Sequence, residues 1–125
     1  KCHFVYGLLS ALLSDGEINE IFSSDMFEKE ELIPDFRGLT GLDPVKPFEC
    51  VGTAEEYRTA LAMKILSLKR EKRELPLLLR IFDDAFCCED IVRESTALSE
   101  YNRENLVPEK FSECLTEMYS YVSNN

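Results

Sequence analysis

Leu75-Pro76-Leu77-Leu78-Leu79-Arg80-Ile81-Phe82-Asp83-Asp84-Ala85-Phe86-Cys87-Cys88 is the stretch whose reading decides the fold. Its charged positions are Arg80, Asp83 and Asp84, three and four residues apart, so on a helix they form one polar stripe. Every other side chain from Leu77 to Cys88 is apolar or a thiol. A helix that is apolar around most of its circumference is normally surrounded by other elements. Pro76 suits the first helical position, where its missing N–H costs nothing. Arg80 can pair with Asp84 one turn later. A buried strand is the competing reading, because periodicity alone does not separate the two. Length favours the helix, and so does the single β-branched residue, Ile81. The expectation is a central helix over 76–88 with the other helices packed around it.

Working outward, the flanking segments also carry helical spacing. Thr53-Ala54-Glu55-Glu56 is a capping box, with Thr at the cap and Glu at the third position satisfying two orphan N–H groups reciprocally. The helix it starts runs to about Arg70, with Tyr57, Leu61, Ile65 and Leu68 inward and Ala60 and Ala62 permitting close approach. Residues 2–13 read as a helix with Phe4, Leu8 and Leu12 on one face and Val5, Leu9 and Leu13 beside it. Gly7 weakens it by about 1 kcal/mol relative to Ala, or permits close helix packing. Asp15 is the expected cap of a short helix over 17–23, with Ile18, Ile21 and Phe22 inward. Another turn or two covers 26–33, and Pro34 is expected to end it. Residues 34–52, with three prolines and three glycines, are the irregular part, with room for one short helix. Cys88 to about Tyr101 and Pro108 onward read as further helices, the last with Phe111, Cys114, Leu115, Met118, Tyr119 and Val122 on one side. The sum is an all-α chain: a single-domain irregular helical bundle, or a short helical-repeat fragment, of six to seven helices over residues 1–125.

A chain of 125 residues is of one-domain size, and 45% hydrophobic with 30% charged residues is a globular composition. It opens on Lys1, so a domain excised from a longer protein is expected. It shows no signal peptide and no apolar run of about 18 residues, the length a membrane span needs. A net charge of −10 opposes general binding to phosphate backbones and to anionic membranes. The charge is unevenly spread. Asp15 to Asp35 holds eight acids and one base, whereas Arg58 to Arg80 holds seven bases and two acids. Five cysteines, an odd number with no C-x-x-C pair, read as reduced thiols that serve as small, mostly buried apolar groups in cytoplasm or nucleus.

Catalytic and metal chemistry find little purchase in this pattern. His3 is the single histidine, and its neighbour Cys2 would diverge from it on a helix. Zinc needs four ligands in spaced pairs, and Cys87-Cys88 is adjacent. Asp83 and Asp84 point about 100° apart on a helix, so they cannot share a proton as a dyad does. Gly38-Leu39-Thr40-Gly41 lacks the lysine of a phosphate-binding loop. The expectation is therefore a non-enzyme with no metal or cofactor. It would be a protein–protein interaction domain, an adaptor or scaffold, taking a partner helix or peptide in an apolar groove flanked by charge. The expected contact residues are Lys69, Arg70, Lys72 and Arg73 as an electrostatic patch, and Phe36, Leu39, Leu42 and Phe48 as the apolar face. The plainer alternatives are a solvated helix end for the first set and unplaced core for the second. Self-association, and an RNA-binding module on the 69–73 patch, are the other two functions weighed.

Overall fold

A computed structural model describes residues 2–44, 52–96 and 108–123, with the backbone alone described at 109 and 118–123. The described residues form seven α-helices and no strand: α1 Cys2–Ser10, α2 Asp15–Phe22, α3 Ile33–Thr40, α4 Ala54–Arg70, α5 Leu77–Ala85, α6 Cys88–Glu94 and α7 Glu109–Ser123. Two 3-10 turns, Met26–Glu28 and Glu30–Leu32, lead into α3. The all-α expectation holds. The chain divides into two compact units, residues 1–94 and 95–125.

In the first unit the organising element is α4, not the 76–88 run. Helices α1, α3, α5 and α6 all pack on it. The capping box forms as read: Thr53 Oγ1 accepts from the Glu56 N–H at 3.1 Å, and Glu56 Oε2 accepts from the Thr53 N–H at 2.7 Å. Tyr57, Leu61, Ile65 and Leu68 are buried, and so are Ala60 and Ala62, whose small side chains let neighbours approach on a second side. Gly7 of α1 has the same role. A Cβ there would overlap the Tyr57 ring, so α1 crosses α4 at a distance only glycine allows. Tyr57 then stacks on Phe4 at 5.0 Å and meets Phe36 edge-on at 6.2 Å.

The 76–88 run is split in two. Pro76 is extended and precedes α5 instead of lying inside it, and Phe86 is extended again at φ −133°. Leu78, Leu79 and Phe82 are buried, whereas Leu77, Ile81 and Phe86 are only partly covered, and Arg80, Asp84 and Cys87 are exposed. A nine-residue helix buries one side, and the apolar residues past it are used differently. Phe86 lies 4.7 Å from the Phe82 ring and carries the Arg58 guanidinium 4.8 Å above it, a cation–π contact. Cys88 is buried at the start of α6. Asp83 pairs with Lys69 of α4 at 2.6 Å.

Pro34 begins a helix where the sequence suggested an end. It lies in the first turn of α3, which tolerates a missing N–H. Gly41 closes α3 in the left-handed conformation at φ 69°, and Arg58 Nε donates to the Thr40 carbonyl beside it. Leu12 and Ile21, expected inward, are exposed: α1 ends at Ser10, and α2 buries Ile18 alone. Of the four cysteines described, Cys88 is buried and Cys2, Cys87 and Cys114 are exposed, so the thiols are mostly not core groups.

In the second unit, α7 leaves Phe111 51% exposed and Cys114 exposed, with Leu115 partly covered. Met118, Tyr119 and Val122 lie outside the described side chains.

Candidate functional site

The polar chemistry of the first unit gathers where α1, α2 and α4 meet. Ser14, not Asp15, caps α2: its Oγ accepts from the Glu17 N–H, and Glu17 Oε2 accepts from the Ser14 N–H at 2.8 Å. This second capping box was legible as Ser14-Asp15-Gly16-Glu17, the S-x-x-E pattern. With the cap supplied by Ser14, Asp15 becomes the first residue of the helix and is free to reach across. Its Oδ1 accepts from Lys64 Nζ of α4 at 2.7 Å, and its Oδ2 accepts from the Arg73 guanidinium just past the end of α4. Hydrogen bonds from Lys64, then from Arg73, hold the Asp15 carboxyl below its ordinary 3.8. The Lys64 side chain is only 13% exposed, so its charge is held among protein groups.

A second pair lies on the same side of α1. The Tyr6 hydroxyl donates to Asp25 Oδ1 at 3.0 Å, and that oxygen also accepts the Phe27 N–H at 2.8 Å. Phe22 and Phe27 close edge-on around the Tyr6 ring at 5.1 and 4.9 Å. Burial, and next the Asp25 charge, push the Tyr6 phenol well above its ordinary 10.0. At neutral pH it is a hydrogen-bond donor and not a base.

Tyr6, Ser10, Asp15, Asp25, Lys64 and Arg73 line a cleft of about 340 Å³. A second depression, about 320 Å³, shares Ser10, Asp15, Lys64 and Arg73 and adds Ser67 and Glu71. The Asp15–Lys64–Arg73 cluster thus borders both. Chemically it offers two cations that share the Asp15 carboxylate, with Glu71 a second, longer partner of Arg73 at 3.4 Å. A ligand carboxylate or phosphate oxygen has the right charge to take that place. Among the described residues no group of three or more His, Cys, Asp or Glu is placed to hold a metal ion. The Cys88 thiol is pushed up to about 12, by burial first and then by Asp83 3.6 Å away, so it is not a thiolate nucleophile. His3 is buried against Phe36 at 5.8 Å.

The residues singled out from sequence fall elsewhere. Phe36 and Leu39, expected on a partner face, are 0% and 1% exposed and belong to the core. Leu42 is partly covered, and Phe48 lies outside the described residues. The basic run does not act as one patch. Lys69 is tied to Asp83, and Arg73 to Asp15 and Glu71, so both fasten α4 and its end to neighbouring segments. Arg70 and Lys72 are exposed. Of the seven that are described, only Arg73 reaches the cleft.

Comparison with known proteins bears on the same unit. A family model described as the MurL C-terminal domain matches residues 1–97. The chain belongs to this family. A relative from Micromonospora named UDP-N-acetyl-alpha-D-muramoyl-L-alanyl-L-glutamate epimerase is 34% identical over 83 residues, 66% of this chain and 18% of the relative. Relatives of the same name from Salinispora tropica and Xanthomonas oryzae pv. oryzae are 32% and 31% identical, covering 66% and 67% of this chain and 18% of each relative. The chain therefore spans under a fifth of the length of the curated relatives it matches. No solved structure matches.

Membership of the MurL C-terminal family corrects the functional expectation. An adaptor or scaffold, a self-association domain and an RNA-binding module are all displaced, and so is the expectation of a non-enzyme, because the relatives are named as epimerases. Among the described residues no helix is long and apolar enough to cross a membrane.

Proposed function

We propose that this chain is the C-terminal helical part of an epimerase that inverts one stereocentre of a UDP-linked muramoyl dipeptide ending in L-glutamate. The supporting observation is the family match over residues 1–97, which coincides with the first compact unit. Within that enzyme the chain contributes binding more than proton transfer. Inversion at carbon by proton transfer takes a proton from one face of the centre and returns one to the other, which calls for a group able to act as a base. In the cleft, Tyr6 is held protonated and Lys64 is engaged by Asp15, so neither is poised as a base. Lys64 and Arg73 instead suit an anionic oxygen of the substrate, exchanging Asp15 for a ligand carboxylate or phosphate. A UDP-linked substrate belongs to the cytoplasm, where nucleotide sugars are made, and we place the protein there.

The test uses the full-length protein that carries this domain, expressed in cells and assayed in undialysed lysate, which keeps its small-molecule co-reactants. The UDP-muramoyl-L-alanyl-L-glutamate substrate is added, then recovered and hydrolysed, and its amino acids are separated by chirality. D-glutamate above the level in lysate without the protein is expected. Unchanged configuration at both amino acids, with the protein present and folded, overturns the proposal. Arg73→Ala in the same assay is expected to raise KM more than it lowers kcat, as loss of a binding contact does.

A further inference from the structure

From Cys2 to Ser14 the chain carries no Asp, Glu, Lys or Arg, in a protein of which 30% is charged. Helix α1 lies inside this stretch. Its inner side, His3, Phe4, Tyr6, Gly7 and Ser10, is buried against the rest of the unit. The chain keeps helical spacing just past α1, because Leu12 N–H donates to the Leu9 carbonyl at 3.0 Å and Leu13 N–H to the same carbonyl at 2.8 Å. Cys2, Val5, Leu9 and Leu12 are therefore at helical spacing on the opposite side. Cys2 is exposed, Val5 is 39% and Leu12 75% exposed, and Leu8 and Leu9 are only partly covered. A surface helix of a finished protein shows polar residues on its solvent side, and a helix apolar all round is covered all round. By that rule α1 is half-finished.

We infer that the outer face of α1, centred on Val5, Leu9 and Leu12, docks against the preceding part of the same polypeptide in the full-length protein. Three observations select that occupant. The family is described as a C-terminal domain, and the match covers only 18% of each relative, so in proteins of this layout most of the chain lies ahead of it. That preceding chain reaches the domain at α1, which sets a high effective concentration at this face. A net charge of −10 works against the other apolar surface in a cell, an anionic membrane. The inference rests on family membership and not on the reaction proposed above.

Cys2 lies on the face, and Cys87 is an exposed thiol elsewhere, so alkylation rates read the docking directly. The experiment compares the full-length protein with its Leu12→Lys variant, mapping maleimide adducts by peptide mass. Leu12 is already mostly exposed, so the substitution leaves the domain's own core alone. In the full-length protein Cys2 is expected to react at least about tenfold more slowly than Cys87, as for a site reached only through local opening. Leu12→Lys is expected to restore most of the Cys2 rate without changing that of Cys87. Equal rates in the unaltered protein overturn the proposal. Protection that survives Leu12→Lys overturns it too, because then the adjoining residues alone shield Cys2. Protection that grows with protein concentration assigns the face to a second copy. Protection that needs phosphatidylglycerol vesicles assigns it to a membrane. Either of these also overturns the proposal. The epimerase assay is read separately, so loss of activity with protection intact leaves this inference standing.

Discussion

Helices α4 and α7 carry apolar side chains at helical spacing in much the same density, yet they come to different ends. In α4, Tyr57, Leu61, Ile65 and Leu68 are enclosed because α1, α3, α5 and α6 converge on them. In α7, Phe111 remains half exposed and Cys114 exposed. The family match stops at residue 97, close to the boundary between the two compact units. Periodicity identifies the side of a helix that is suited to burial. Whether anything covers it depends on how many other elements the chain can bring to the same place.

The comparison can be broken by substitutions on either side of the boundary, read by urea denaturation of the 125-residue chain. The largest loss is expected from Phe36→Ala and Phe82→Ala, about 3–5 kcal/mol each, as for fully enclosed aromatics. A loss under about 1 kcal/mol at Phe36 would return it to the surface face the sequence suggested. Gly7→Ala comes next. Alanine gains about 1 kcal/mol of helix propensity, but its methyl meets the Tyr57 ring, so a net loss of about 1–3 kcal/mol is expected. Recovery in Gly7→Ala/Tyr57→Phe would be small, because the overlap is with the ring edge and not mainly with the hydroxyl.

Asp15 sharpens the comparison through pH. Its folded carboxyl titrates below 3.8, so as pH falls the unfolded chain takes up the proton first. The stabilisation is present above 3.8 and is lost as pH drops through the lower folded value. The side chain is 41% exposed, so solvent screening limits the effect to roughly 1 kcal/mol or less. Asp15→Asn is expected to lower stability at pH 7 by that amount and to flatten the acid limb of a stability–pH curve. An unchanged acid limb would mean that Lys64 and Arg73 do not hold the carboxyl in solution. The smallest effect is expected at Phe111→Ala, under about 0.5 kcal/mol. A loss comparable to that at Phe82 would show that α7 is covered after all.

Much of the scaffold was legible. The Thr53 capping box and the inward face of α4 follow from residue type and spacing, and of the two readings open for Gly7 the structure takes close packing. The errors have physical causes. The apolar composition of the 76–88 run predicts one enclosed helix, but Phe86 leaves the helix to meet Phe82 and Arg58, a tertiary preference that composition does not encode. Pro34 predicts a stop because proline bars the helical interior, yet the same ring is well suited to a first turn. Asp15 is by residue type a good cap, but the neighbouring Ser14 takes that role. The cleft was not legible, since its groups come from positions 6, 15, 25, 64 and 73 and meet only in three dimensions. Function is hidden for a related reason: no compact catalytic motif marks a chain that spans under a fifth of its relatives' length.

Helical class, the start of α4 and the identity of its buried face were determined by the residues themselves, because caps and 3.6-residue spacing act over one or two turns. Which helix stands in the middle, which apolar faces stay open and which distant charges share Asp15 were decided only by the folded chain. Those outcomes depend on contacts between residues as many as 58 positions apart, which short-range preferences do not specify.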